Sequence, residues 1–463
     1  MHWFIGEGRV ADQSVRIEEI RRLLRLGPRN AQELMADLSI SQPTLSRTIR
    51  EAPELFTSFR ISGDRTPKYG ALRQLPGGLS PRQTVYRIST DGAIAPCARV
   101  EFMTGGATLE LADSRNTLYE GLPPHMTFAT PSGFLGRQVA RAVALEMQFP
   151  ESLRDWSDDH RVAYLFTRGL NLPGDLVYGD ASLEREMAFR RLQPIPSAQK
   201  LDHYQDMANQ LKDASYGSSA GGEQPKFLSL TEDVGHVIVK FAKRGSRMAD
   251  LLSLEHLALQ SLSIATVSSA STSLLATDSY TFLEVQRFDR IGRFGRIGML
   301  SAGAIDDEYF GKRNTWSEFA TRCEQARYLS ASEAEKIHVM AAFSELIGNG
   351  DRHFENISLL LNERGGFDRV APAYDILPMN YAPVGAGIDP DLSPITPKIG
   401  TIGAKPNVWG RAYPAAKTFW ERVQQGDCSL PIPNEFKDLA TKNLAVAKDF
   451  VAPLIPAEAK RAD

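Results

Sequence analysis

Apolar residues Val15, Ile17, Ile20, Leu23 and Leu24 recur at helical spacing over residues 14–26, and Gly27-Pro28 ends the pattern. Asn30 is suited to cap a second short helix whose face is Ala31, Leu34, Met35 and Leu38. Ser39-Ile40-Ser41 interrupts it, and residues 42–50 carry Leu45 and Ile49 on a third face. Helix, tight turn, helix is the helix-turn-helix pattern. Residues 55–60 and 69–75 then read as strands joined by Gly63-Asp64-Arg65-Thr66-Pro67, a hairpin with a basic tip. Together these runs predict a winged helix-turn-helix domain over residues 1–75.

Pro76-Gly77-Gly78 marks a linker, and residues 84–88, 98–103 and 107–111 alternate as strands split by Asp91-Gly92 and Gly105-Gly106. Residues 125–210 mix turns with helical stretches and say least about organisation. A glycine-rich segment, 217–222, leads through Lys226 into strands at 227–230 and 237–241, a helix at about 251–262 and a strand at 281–287. From Trp316 the pattern is mainly helical, interrupted by loop-rich regions at 351–380 and 382–407. The prediction is an α+β chain with a β unit and strand-rich lobe over 80–315 and a helical lobe over 316–463. No internal repeat is evident.

Composition narrows the class. The chain has 463 residues, 42% of them hydrophobic, which excludes a single small binding module. Its 53 basic and 56 acidic residues leave a net charge of −3, so no global attraction to nucleic acid or membrane is expected. The sum hides a modest asymmetry: residues 1–75 hold 12 basic and 9 acidic side chains, a net +3 that leaves −6 for the remainder. Cys97, Cys323 and Cys428 lie far apart, and the eight histidines form neither HExxH nor a Cys/His cluster, so neither disulfides nor zinc are expected. Residues 1–12 lack the features of a signal peptide, and the charge-free run 257–277 is broken by Ser and Thr, which disfavours a membrane span. A cytoplasmic protein is the expectation.

Transfer of a phosphoryl group from ATP needs backbone donors over the phosphates, a strand lysine, a carboxylate to hold it, a base and oxygen ligands for magnesium. Candidates occur here in that order. Gly217, Gly221 and Gly222 precede a strand, where backbone without side chains can approach phosphate oxygens. Lys240 is anomalous within the apolar run Val237-Ile238-Val239-Lys240-Phe241; taken alone it reads as an edge-strand lysine turned to solvent. Glu255, fifteen residues on, would alone be a solvated helix charge, but it lies on the right element to return a carboxylate to that lysine. Asp351 and Asn356 in Gly350-Asp351-Arg352-His353-Phe354-Glu355-Asn356 have the D-x-x-x-x-N spacing of a kinase base and metal ligand, and Asp375 follows nineteen residues later as the second ligand. Gly217-Ser218-Ser219-Ala220-Gly221 also matches the G-x-S-x-G hydrolase elbow, but here a strand follows where that elbow requires a helix.

These segments resemble the HipA-like bacterial serine/threonine kinases, in the branch with a winged helix fused to the N-terminus. The resemblance rests on residues 218–226, Val237-Ile238-Val239-Lys240, Val285-Gln286-Arg287-Phe288-Asp289-Arg290, Asp351 to Asn356 and Pro372-Ala373-Tyr374-Asp375-Ile376, in the family's order across about residues 80–400. It implies a two-lobed protein-kinase-like fold in which Asp351 is the catalytic base and Lys240 meets the ATP phosphates. It implies ATP contacts from Gly221, Gly222, Lys226 and Glu255, an adenine hinge at Gln286 and Phe288, and site walls at His353 and Tyr374. Mg2+ would be held by Asn356 and Asp375, and autophosphorylation would fall on Ser219, with Ser218 beside it. There is no GxGxxG, HRD or DFG, and Arg352 stands where the family more usually has a small residue.

On the third helix Gln42, Thr44, Ser46, Arg47 and Arg50 suit base edges and phosphates, and Arg65 and Lys68 at the wing suit the minor groove or backbone. The competing expectation is a helix-turn-helix that only packs against its own kinase or a partner. The sequence reading is therefore a growth-inhibiting toxin kinase acting on an unidentified cellular protein. Its N-terminal DNA-binding module would stand in for the separate antitoxin of relatives; whether an antitoxin also exists is left open. Two other classes remain: a DNA-binding regulator that senses nucleotide without turnover, and a metal-dependent enzyme acting on DNA.

Overall fold

The computed structural model describes residues 4–112, 115–215, 224–385 and 387–455. The N-terminal unit comprises α1 (Phe4–Leu24), β1 (Arg29–Asn30), α2 (Ala31–Leu38), α3 (Gln42–Glu51), β2 (Phe56–Phe59) and β3 (Lys68–Ala71). α1 begins ten residues ahead of its apolar stripe, where Gly6 and Gly8 leave no periodicity to read. α2 starts where the Asn30 side chain accepts the Glu33 N–H at 2.9 Å while Glu33 reaches back to the Asn30 N–H, a capping box. It stops at Ser39, whose φ is +52°. Ile20, Leu24, Leu34, Leu45, Ile49, Phe56 and Tyr69 close a separate small core over the antiparallel sheet β1-β3-β2.

The middle unit is a five-stranded antiparallel sheet, ordered β7-β6-β5-β4-β8, built from β4 (Arg82–Ile88), β5 (Ile94–Phe102), β6 (Thr108–Ala112), β7 (Arg115–Tyr119) and β8 (Leu176–Tyr178). Helices α4 (Pro124–Ala129), α5 (Gly133–Met147), α6 (Asp158–Arg168) and α7 (Gly179–Phe189) accompany it, and Phe102, Phe166, Trp156 and Tyr178 fill the core between them. The two units are bolted together. Arg82 donates to the carbonyls of Pro53 and Phe56 at 2.7 and 2.9 Å, and Thr104 donates to that of Leu24 at 2.6 Å. Phe59, Met103, Ala107 and Leu109 make a shared apolar seam.

After α8 (Lys200–Ser215) come β9 (Lys226–Thr231), β10 (Gly235–Lys243), α9 (Arg247–Ser261), β11 (Thr272–Ala276), β12 (Tyr280–Gln286), β13 (Arg290–Ile291) and β14 (Gly295–Arg296). Their main sheet is ordered β11-β12-β10-β9. The remaining elements are β15 (Met299–Ser301), α10 (Ala302–Tyr309), α11 (Trp316–Gln325), α12 (Ala331–Ile347), β16 (Ser358–Leu361), β17 (Phe367–Val370), α13 (Pro406–Gln425) and α14 (Asn434–Val451). Leu300, Ala302 and Ile305 already belong to the large core of α11–α14, so the helical lobe takes in chain ahead of Trp316. α9 is buried on nearly every face because it stands between the sheet and that core, which is why its sequence shows no clear amphipathic stripe.

Candidate active site

Lys240 sits on the central strand β10, hydrogen-bonded on both sides, rather than on the solvent-facing edge that a lone strand lysine suggests. Its ammonium lies 2.5 Å from the Glu255 carboxylate on α9 and also binds Asp375. Lys240 and Glu255 are 6% and 1% exposed, so Glu255 is not a solvated helix charge either. Burial would lower the Lys240 pKa, but Asp375 and Glu255 override it and hold the ammonium well above its ordinary value. Burial likewise opposes ionisation of Asp375, yet Lys240 and Lys226 hold it well below the usual carboxylate range. Glu255, at the dry end of the same cluster and facing the Asp375 charge, is pushed up by burial. A buried ion cluster of this kind is poor value as a stabilising device, which points to function.

Asp375 is placed by backbone bonding: the Ala373 N–H donates to Ser268 O at 2.8 Å and the Ala270 N–H to Ala373 O at 2.9 Å. Its own φ is +53°, a left-handed conformation that costs a non-glycine residue on the order of 1 kcal/mol and recurs at functional sites. Lys226 on β9 is the register partner of Lys240 and stands 4.0 Å from the other Asp375 oxygen. Like charges directly opposite one another repel. A carboxylate, or an anionic ligand, between them offsets that repulsion.

The second half of the site is the loop after α12. Gly348, at φ +79°, caps the helix; Asn349 accepts the Asp351 N–H at 3.1 Å, and the Asn356 amide donates to Asp351 O at 3.1 Å. Phe354 anchors the loop against Phe319, and the Trp316 indole N–H donates to His353 O at 3.1 Å. The loop is thus pinned while the Asp351 side chain stays 46% exposed, within reach of an incoming group. The His353 ring lies between Glu355, 3.2 Å from Nδ1, and Asp351, 3.7 Å from Nε2. The bond to Glu355, with Asp351 and Glu355 as neighbouring charges, raises the His353 pKa despite burial. Glu355 is held down at about 2, first by His353 and then by Arg313, whose guanidinium lies 2.6 Å away. Arg313 is in turn gripped by both oxygens of Asp307 at 2.7 Å.

Tyr374 stacks obliquely on Phe288 with ring centroids 5.7 Å apart, and its hydroxyl donates to Glu355 O at 2.8 Å. Gln286, at the exposed end of β12, donates to Val234 O at 3.2 Å. The rest of that motif locks the end of β12 to the middle unit. Buried Arg287, Asp289 and Arg290 bind one another and the loop at Asn171, Leu172 and Gly174. Arg352 turns back to Glu345 on α12 at 2.6 Å. Lys226, Lys240, Glu255, Asp375 and the Asp351–Asn356 loop therefore gather with Tyr374 and Phe288, whereas Gly221, Gly222, Ser218 and Ser219 lie outside the described residues. Arg313 was not expected from sequence: it is 38 residues from Asp351 and carries no motif. Glu355 lies inside the quoted motif, so its proximity was visible but not its pairing.

In the N-terminal unit Arg47 and Arg50 are exposed on α3 and Arg65 is exposed at the hairpin tip, while Lys68 on β3 is half-buried. Ser46 pairs with the Tyr69 hydroxyl at 3.2 Å, and Thr44 turns to Ser41 at the helix start at 3.0 Å; Gln42 is exposed. Among the described residues no helix is long and apolar enough to cross a membrane.

Residues 79–187 match the family model for the middle domain of YjjJ-like toxins, and residues 218–423 match that for the HipA-like C-terminal domain. The chain is 32% identical over 420 residues to Toxin YjjJ of Escherichia coli (strain K12), covering 88% of this chain and 93% of that protein. Among solved structures, a chain of the Shewanella oneidensis MR-1 toxin–antitoxin complex of HipA, HipB and operator DNA matches 82% of this chain and 100% of its own. The TM-score is 0.51 at 13% identity, which shows a shared α+β fold.

Proposed function

The chain belongs to the HipA-like toxins of the YjjJ type, and from that premise we propose that it is an ATP-dependent protein serine/threonine kinase whose N-terminal unit is a DNA-binding winged helix. The observation that carries the reading is the buried Lys240 held between Glu255 and Asp375 beside a rigid loop that presents Asp351. Lys240 and Lys226 would bind phosphate oxygens, and Asp351 would accept the proton of the attacking serine or threonine hydroxyl. Phe288 and Tyr374 offer the apolar wall for adenine, with Gln286 at its rim.

Magnesium fits the donors present. Among the described residues no group of three or more His, Cys, Asp or Glu side chains forms a metal cage. A nucleotide-bound Mg2+ needs none, because phosphates and water fill most of its octahedron. The Asn356 amide nitrogen is committed to Asp351 O, which leaves the amide oxygen as a ligand, and Asp375 is kept ionised. Asn356 and Asp375 would hold the ion, which when bound neutralises charge on the transferring phosphate.

The glycine-rich segment would cover the phosphates and carry the autophosphorylation site at Ser219, with Ser218 as its neighbour. A phosphate there adds about −1.5 to −2 charge at neutral pH and repels the segment from ATP. The cellular target would be a protein whose phosphorylation stops growth, such as a component of translation. The N-terminal unit would supply in one chain the DNA attachment that HipA relatives obtain from a separate antitoxin.

The test is to incubate dephosphorylated wild type and Asp351→Ala with magnesium and labelled ATP and map the label by mass spectrometry. Label on Ser218 or Ser219 in the wild type alone is the expected result. ATP binding without transfer would favour a nucleotide-sensing regulator, and metal-dependent nicking of DNA without ATP, lost in Asp351→Ala and Asp375→Ala, would favour a DNA-acting enzyme.

A further inference from the structure

α3 does not stand clear of the rest of the molecule. Gln42 and Ser46 form one wall of a groove of about 530 Å3. Ser58 and Arg60 from the hairpin form a second wall, and the far side comes from the middle unit, through Arg99 of β5 and Asn116 of β7. Among the described residues two arginines line this groove and no carboxylate does. The strand alternation of β6 accounts for the missing acid. Leu109 and Leu111 line the groove, whereas Glu110 points to the opposite face, where it binds His125 at 3.0 Å and Tyr119 at 3.2 Å.

The charge on the groove is not cancelled from beneath. Arg99, 59% exposed, approaches Glu101 at 3.3 Å, but that carboxylate is 3% exposed and is also bound by Arg82 at 3.2 Å. Two guanidiniums share one buried carboxylate, and the surplus positive charge sits on the groove side. The spacing of the two walls is fixed as well. Asn116 donates through its amide to Arg60 O at 3.1 Å and through its backbone to the Ser62 hydroxyl at 2.8 Å, while the Ser62 N–H donates back to Asn116 O at 3.1 Å. Arg60 and Arg99 are therefore mounted on one rigid frame with α3.

We propose that this groove continues the DNA-binding face: a duplex seated on α3 runs its phosphate backbone along the groove, where Arg60 and Arg99 each neutralise a phosphate. The inference rests on the reading that α3 binds DNA, and it makes the middle unit part of the nucleic-acid surface. The added contacts carry no sequence information, because phosphates are alike in every duplex.

The experiment measures binding of the full chain to fluorescently labelled duplex DNA by anisotropy across a salt series. Wild type, Arg60→Gln, Arg99→Gln, Arg99→Lys and Arg47→Glu are compared, with unchanged melting temperatures confirming that each variant folds. Arg60→Gln and Arg99→Gln should each weaken binding severalfold, equally for unrelated sequences. Each should also flatten the slope of log K against log salt by about 0.9, the signature of one lost phosphate contact. Arg99→Lys should restore the wild-type slope. If Arg47→Glu abolishes binding while both Gln variants keep the wild-type slope, the groove is not part of the interface and the α3 reading stands. If the wild type binds no duplex at all, the α3 reading falls and this inference falls with it.

Discussion

At the scale of single residues, the site is held by pairings that span long stretches of chain. Lys240 and Glu255 were legible because a lysine inside an apolar strand is costly unless something answers it, and the next helix offered a carboxylate. Asp375 was legible by its order in the chain, but its left-handed backbone and its grip on Lys240 were not. The Arg313–Glu355–His353 chain had no such signal, since nothing local marks an arginine that will fold back across 42 residues. Gly303 belongs to the same arrangement. A Cβ placed there would stand 2.5 Å from the Glu355 carboxylate and 2.8 Å from the Arg313 guanidinium. Gly303→Ala should push that pair aside and release His353, lowering kcat/KM for phosphoryl transfer while leaving the melting temperature nearly unchanged. Steady-state kinetics with a thermal melt would show it. Glu255→Gln removes one of the two anions from a buried cation and should cost roughly 3 kcal/mol of stability, read as a lower denaturant midpoint at unchanged slope.

At the scale of elements, the pattern of apolar positions located α2, α3, β4, β5 and β10 within a few residues. Amphipathic stripes blur where burial is all-round, as in α9 and α12, because a helix walled in on every side shows no polar face to set the period; α9 was still read at about 251–262, four residues short of its start at Arg247. α12 carries His338 into that interior, 6% exposed, with its Nε2 taking a hydrogen bond from the Lys405 ammonium at 3.2 Å. Burial, and then the Lys405 charge, lower its pKa from 6.5 to about 4. The unfolded chain therefore takes up this proton first as pH falls. Stability is lost between about pH 6.5 and pH 4, and the neutral ring is favoured above that window. The loss in that window is on the order of 1–3 kcal/mol. Melting curves at about pH 7 and pH 5 should show a smaller drop for His338→Gln, which keeps an acceptor for Lys405 but does not titrate.

At the scale of the whole molecule, the N-terminal unit is a fixed part of the body. A linker was readable at Pro76-Gly77-Gly78, yet the contacts that cross it were not, because they pair residues such as Arg82 with backbone carbonyls that no side-chain pattern reveals. Arg82→Ala should free the N-terminal unit without unfolding it, so limited proteolysis should cut near residues 76–80 far faster than in wild type, leaving a stable remainder. Equal cleavage of both would show that the apolar seam at Phe59 and Met103 holds the units unaided.

The order in which these contacts fall along the chain also sets an order in time. Every strand of the first two sheets has left the ribosome once Tyr178 emerges, and the partners of α3 and its groove all lie before that point. The cleft waits for Asp375, and the large core beneath it waits for α13 and α14. Domains fold as they are made, N-terminal first. A nascent chain thus carries its complete N-terminal face while still tethered to its message, well before Lys240 has met the carboxylate that finishes the site.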